Sequence, residues 1–243
     1  GFDTRAIHAG QEADPTTGAV VPPIYQSSTF VQDGIGGFRN GYEYARSANP
    51  TRDSLQTLLA DLEGGTAAFS FASGLSAEDA LLRATLRPGA RILMGNDVYG
   101  GTHRLVQRVH VPWGVQLETV EMTDLDAVRA AARPGETAVL WVETPSNPLM
   151  KISDVAALAE IGHAAGAVVV VDNTFASPSL QQPLALGADA VVTPPSPGFS
   201  PEPSAAPAPA SAPRMTAPAP QPQVPGADDG QRRRWLAPGS DQA

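Results

Sequence analysis

The sequence predicts an α/β domain built on a parallel sheet. Two observations carry this expectation. Short apolar runs alternate with helical stretches from residue 67 onward, and one run, Ala167 to Val171, is apolar at every position. A strand that is apolar throughout is buried on both faces, which puts helices on either side of a parallel sheet. A third observation bounds the domain. After Val192 the apolar pattern stops, and 13 of the last 51 residues are Pro. The expected organisation is an N-terminal extended arm over 1–49, a layered domain over 50–192, and a disordered Pro/Ala-rich tail over 193–243.

The elements follow in order. Residues 1–49 are polar, Gly-rich and spotted with aromatics, without a period. Asn49-Pro50 opens a helix, a side-chain cap followed by Pro at the first helical position. Leu55, Leu58, Leu59 and Leu62 supply its apolar stripe, and Gly64-Gly65 stops it. Strands are expected at 67–71, 91–94, 115–120, 137–142, 167–172 and 188–192. Helices are expected near 74–86, 101–109, 124–132 and 153–165, the last capped by Ser153 and ended by Gly166. The Pro-Ala repeats of 201–225 can form neither ladder nor helix.

Composition excludes several functions. The 42% hydrophobic content is enough for a core in the first 192 residues. A net charge of −9 argues against nucleic acid as the main partner. With no Cys there is no disulfide, thiolate metal site or Cys nucleophile. His8, His103, His110 and His163 lack ligand-like spacing, so no metal site is expected. No stretch has the apolar length of a membrane span and no signal peptide opens the chain, so no membrane partner and a cytoplasmic location are the expectations. Arg232-Arg233-Arg234-Trp235 reads as a solvated charge run.

In open parallel sheets ligands bind at the carboxyl ends of the strands, and three strand ends carry polar residues. Ser73-Gly74-Leu75 leads from a strand into a helix, either an ordinary turn or a phosphate site made of backbone N–H groups. Glu143 and Asn147 follow another strand, in a loop stiffened by Pro145 and Pro148. Asp172 ends the most apolar strand, just before Thr174. A carboxylate there is costly unless a cation meets it: a protonated pyridine nitrogen, a metal or an Arg. Gly34-Ile35-Gly36-Gly37 follows no strand and opens no helix, so it is not a dinucleotide fingerprint.

Seven segments together resemble the Cys/Met-metabolism enzymes that use pyridoxal phosphate (PLP), of the cystathionine γ-synthase and γ-lyase kind. They are Thr4–Gly10, Pro22–Gln26, Tyr42–Arg52, Phe71–Leu75, Asp97–Thr102, Val142–Pro148 and Val171–Pro178, in the family's order across residues 1–192. The resemblance implies an incomplete large domain of the PLP-dependent, aspartate-aminotransferase-like fold. It implies an amino-acid substrate and PLP as cofactor. Ser73, Gly74 and Leu75 match the phosphate-holding segment, and Tyr99 the residue stacked on the pyridine ring, which also assists departure of the γ-group. Asp172 matches the partner of the pyridinium nitrogen. Glu143, Asn147 and Thr174 match positions beside the cofactor. Tyr44 and Arg46 match a pair that the arm sends into a neighbouring subunit's site, in homo-oligomers built as dimers pairing into tetramers.

Three departures stand against the family pattern. Ala45 replaces a Ser, and Ser179 stands where an aromatic residue is common. After Val192 the family continues with a His-Ser-Thr-Thr-Lys-Tyr-like motif, whose lysine forms the Schiff base with PLP. Here Pro197 occupies that position, and the only lysine is Lys151, expected to be a solvent-exposed loop residue. A shift of reading frame is the expected cause of the break. The codons CAC-TCC-ACC, read one base late, begin Thr-Pro-Pro, as in Thr193-Pro194-Pro195. The implied activity is γ-replacement or γ-elimination in trans-sulfuration, but this chain is expected to be catalytically dead. A non-catalytic subunit paired with an intact paralogue and a frame-shifted, non-functional remnant remain as alternatives.

Overall fold

The computed structural model describes residues 1–193. Five strands form one sheet there, all parallel, in the order β2-β1-β3-β4-β5. They are β1 (Arg91–Gly95), β2 (Gln116–Val120), β3 (Thr137–Glu143), β4 (Val168–Asp172) and β5 (Ala190–Val192). β3 is central and pairs with β1 on one side and β4 on the other. The helices are α1 (Phe2–His8), α2 (Pro50–Glu63), α3 (Gly74–Thr85), α4 (Gly100–Leu105), α5 (Leu125–Ala131), α6 (Val155–Ala164) and α7 (Ser177–Leu180). Among the described residues no helix is long and apolar enough to cross a membrane.

Side chains alternate across the sheet with the period of two that a pleated strand imposes. Leu93, Leu140, Val142, Val169 and Val171 face α5 and α6, where they bury Val128, Leu158 and Ile161. Ile92, Met94, Val139, Trp141 and Val170 face the other way, onto Leu82 of α3 and Val106 beyond α4. These two layers explain why the strands are apolar at nearly every position. α6 lies especially close to the sheet. A Cβ on Gly162 would sit 2.5 Å from a methyl of Val169, so only Gly allows this approach.

Several expected elements form as the sequence implied. Asn49 accepts from the Thr51 N–H at the start of α2, Pro50 takes the first helical position, and Gly64 ends the helix at φ 74°. Its stripe is buried only at Leu62, and Leu55 is exposed. The strands at 91–94, 115–120, 137–142, 167–172 and 188–192 all appear within a residue or two.

Other expectations are corrected. Residues 67–71 form no strand. A strand needs a neighbour for its N–H and C=O groups, and this run has none among the described residues; Phe69 is exposed and the Ser70 N–H bonds the side chain of Gln56 instead. The arm is not wholly extended, because it opens with α1, which packs on α2. The helix expected over 101–109 is α4 followed by one wide π turn, Val106–His110. The last helix is capped by Asp154 rather than Ser153. The Asp154 carboxylate accepts from the Ala157 N–H, while Ser153 is buried with its own N–H on Thr144 Oγ1. α7 and a 3-10 turn at Pro183–Leu186 had no counterpart in the sequence reading. Gly34–Gly37 lies in an exposed turn of the arm. The tail expected to be disordered lies, from Pro194 on, outside the described residues.

Candidate active site

Strand order places the site. The chain leaves β1 toward β2 on one side and returns to β3 on the other, so the loops after β1 and β3 diverge and open a crevice. A cavity of about 360 Å³ lies there, at the carboxyl ends of β1, β3 and β4. Ser73, Gly74, Leu75, Tyr99, Glu143, Asn147, Asp172 and Thr174 all line it, together with Glu78, Pro145 and Phe175.

One end of the cavity is the start of α3. Ser73 is its N-cap, with the Ser73 hydroxyl accepting from the Ser76 N–H. The Ser76 and Ala77 N–H groups are also taken by the Ser73 carbonyl. The N–H groups of Gly74 and Leu75 have no acceptor among the described residues. They are the free donors of a helix start, where the backbone dipoles favour an anion.

Much of the remaining lining is acidic. Asp172 is 4% exposed and accepts from the Thr174 N–H at 3.0 Å and from its hydroxyl. Burial pushes its pKa up, and the Thr174 bonds oppose that rise. Among the described residues no Lys, Arg or His lines the cavity, so none of them supplies the cation expected beside Asp172. Glu143 ends β3, and its Oε2 accepts the Tyr99 N–H at 2.7 Å. Burial pushes Glu143 up to about 8, with Asp172, Glu78 and Asp97 adding repulsion. Glu78, one helical turn beyond Gly74, is pushed up to about 7, chiefly by burial. Its Oε2 and the nearby Thr102 hydroxyl are buried without a hydrogen-bond partner among the described residues.

Tyr99 forms a wall. Its ring rests over Gly101, where a Cβ would fall 2.2 Å from Tyr99 Cε1. A side chain at 101 would therefore displace the ring. Asn147 is carried by a loop that Asp97 holds, accepting from the Ser146 hydroxyl and from the Leu149 N–H at 3.2 Å.

Two sequence-predicted residues are elsewhere. Tyr44 and Arg46 lie exposed on the arm, the guanidinium 5.2 Å from the Tyr44 ring centroid, and neither lines this chain's cavity. Lys151 is not the solvent-exposed loop lysine expected. It is half-buried in an ion pair with Glu121, outside the cavity. His163 is exposed on α6, 3.0 Å from Asp189. The position of Pro197 lies outside the described residues. Sequence reasoning missed Glu78 and Asp97. The signal for Glu78 was its spacing, four residues after Gly74 on the same helix face.

An anion-binding helix start, an aromatic wall and a buried carboxylate lacking its cation share one crevice of a parallel sheet. Together they fit a phosphorylated, protonatable aromatic ring, and they define the class as a PLP-dependent α/β enzyme fold. The chain belongs to the Cys/Met metabolism PLP-dependent enzyme family, whose profile matches residues 3–195. Cystathionine gamma-synthase of Mycobacterium tuberculosis (strain ATCC 25618 / H37Rv) is 57% identical over 189 residues, covering 78% of this chain and 48% of that protein. Cystathionine beta-lyase of Lactococcus lactis subsp. cremoris (strain MG1363) is 48% identical over 189 residues, covering 78% and 49%. The crystal structure of metB from Corynebacterium glutamicum superposes with a TM-score of 0.77 at 48% identity, covering 79% of this chain and 49% of that one. That of cystathionine gamma-lyase from Lactobacillus plantarum complexed with L-serine gives 0.74 at 46% identity, with the same coverage. The chain thus spans about half the length of the curated relatives it matches. The family's cofactor is PLP.

Proposed function

We propose that this chain holds PLP without a covalent bond, and that the chemistry it derives from is γ-replacement or γ-elimination in trans-sulfuration. In the first, an O-acyl-homoserine and cysteine give cystathionine; in the second, cystathionine is cleaved to cysteine, 2-oxobutyrate and ammonia. The observation that carries the reading is Asp172, a buried carboxylate with no cation among the described residues, in a cavity that a helix start also lines. The amides of Gly74 and Leu75, with Ser73, receive the phosphate. Tyr99 stacks on the ring, held by its N–H on Glu143 and by the space above Gly101. Asp172, steadied by Thr174, would hold the ring nitrogen protonated, and a ring so held would supply an electron sink. Asn147 and Glu143 border the ring from the β3 side. In the chemistry this chain derives from, the Tyr99 phenol would pass a proton to the departing γ-substituent.

Covalent attachment is the part this chain lacks. Its single lysine is engaged by Glu121 outside the cavity, which supports a catalytically silent chain. Borohydride reduction after PLP addition, followed by mass spectrometry, tests this. We expect PLP that dialyses away and no stoichiometric phosphopyridoxyl adduct. A stoichiometric adduct on Lys151 that disappears in Asp172→Ala would overturn it.

A second reading has its own observation. Tyr44 and Arg46 are exposed on the arm and absent from their own chain's cavity. That arrangement suits donation to another protomer's site, in a homo-oligomer or beside an intact relative. Co-expression with a full-length relative, followed by affinity capture, checks it. Retention by the wild type and loss in Tyr44→Ala/Arg46→Ala is the expected result, and equal retention of both counts against it.

A further inference from the structure

Glu78 stands apart from the rest of α3. It is 3% exposed and lines the cavity; its Oε2 makes no hydrogen bond of normal geometry among the described residues, and the neighbouring Thr102 hydroxyl only partly offsets the effect of burial. A carboxyl group in that condition is costly unless a ligand completes it. Its neighbour Asp79 is already paired, with Arg83 and His110, so on α3 the oddity belongs to Glu78. Glu78 and Asp172 line the same cavity, and the charge of Asp172 opposes ionisation of Glu78.

We propose that Glu78 is a second carboxyl for the cationic nitrogen of a bound pyridine ring, acting with Asp172 to hold that nitrogen protonated. The inference rests on the reading that PLP occupies this cavity. Two carboxyl groups close together share protons in the free site, because both cannot ionise cheaply. A protonated ring supplies the missing positive charge and lets both ionise. An ionised Glu78 then favours the protonated ring over the neutral one.

The groups facing Glu78 set the pH behaviour. They are Asp172 at the end of β4, Glu143 at the end of β3 and the Thr102 hydroxyl of α4. All are acidic or neutral, and Glu78 itself is raised by burial to about 7. The contribution of Glu78 is therefore absent while it is protonated and grows as pH rises through neutrality. Glu78→Gln mimics the protonated state at every pH. Contributions from Glu143 and from the ligand's own phosphate are common to both proteins and cancel in the comparison.

The probe is pyridoxine 5′-phosphate, which has no aldehyde and whose ultraviolet spectrum reports ring protonation. Equilibrium dialysis and absorbance across pH 5.5 to 8.5 compare wild type with Glu78→Gln. We expect equal affinity at the acid end, about ten-fold weaker binding by the variant at pH 8, and a bound-ring pKa lower by about one unit. Glu78→Asp, which keeps the charge, restores part of the shift. Thermal unfolding of each variant shows that the cavity is still folded. If Glu78→Gln binds the probe with wild-type affinity and wild-type ring protonation throughout, the proposal is wrong. If the folded wild type binds no probe at any pH, the cofactor reading itself fails and takes this inference with it.

Discussion

The arm and the sheet of this protein are held by different forces. From Arg91 to Val192 order comes from burial: Leu93, Leu140, Leu158 and Val169 are essentially inaccessible on one face, Ile92, Met94 and Trp141 on the other. Over the first 49 residues no such layer exists. Val20, Val21, Ile24, Val31 and Ile35 are exposed. The arm is shaped instead by local polar bonds. Asp33 pairs with Arg39, Arg52 donates to the carbonyls of Ala45, Arg46 and Ser47, and Asn49 donates to that of Tyr25. The lesson is that the sheet is held by buried apolar layers, while the arm is a shaped ribbon with an uncovered apolar surface, of the kind that marks a contact site.

The sharpest break of that comparison is a pair of truncations. Leu158→Ala should cost about 3 kcal/mol in denaturant unfolding, and Ile24→Ala less than about 0.5 kcal/mol. Equal costs would mean that the arm is part of the core. The next effect belongs to the site within the sheet region. Glu78 and Glu143 keep protons in the folded protein up to about 7 and about 8, against an ordinary 4.5. The folded state then binds more protons than the unfolded, so stability falls as pH rises from about 4.5 to about 8 and levels off above. Replacing both by Gln should flatten that slope and stabilise the protein at pH 8.5 by about 1–3 kcal/mol. An unchanged slope would show that these carboxyls ionise freely.

A smaller, local effect is expected at Gly101. Gly101→Ala should displace the Tyr99 ring and weaken binding of pyridoxine 5′-phosphate about ten-fold, while overpacking costs about 1–2 kcal/mol in unfolding. Unaltered binding would remove Tyr99 from the ring-stacking role. The smallest concerns Lys151. Its ion pair holds Glu121 down at about 2, so the pair stabilises above about 4.5 and is lost as pH falls through about 2. Both partners are about a third exposed, so Lys151→Ala should cost only about 0.5–1 kcal/mol at pH 7 and nothing at pH 2.

The sequence made the sheet legible because its strands are apolar on both faces, and the site legible where polar residues end those strands. Asp172 and Glu143 are conspicuous for that reason, and Ser73-Gly74 for its small residues at a helix start. Glu78 was hidden, since a Glu inside an amphipathic helix looks like a surface residue until the cavity beside it is known. Residues 67–71 misled in the opposite direction: an apolar run suggests a strand, but only a laddered neighbour makes one. Ser153 and Asp154 are both good caps, and the choice fell to Asp154 because Ser153 is drawn inward by Thr144. α1 was illegible because seven residues with no buried position carry almost no periodic signal.

The wide turn at Val106–His110 has a consequence for the whole β1-to-β2 crossover. An α-helix advances about 100° per residue, so one additional residue in a single turn rotates everything after it by that much. Here the rotation brings His110 inward to meet Asp79 at 3.0 Å, with Trp113 against its ring. It also sets the direction in which the chain reaches Gly114, whose N–H and C=O bond Val111 and Gly89. The turn thus works as a phase correction. Deleting one residue from it would keep the composition of the helix but swing His110 toward solvent and deliver β2 to the sheet with its inward and outward faces out of step.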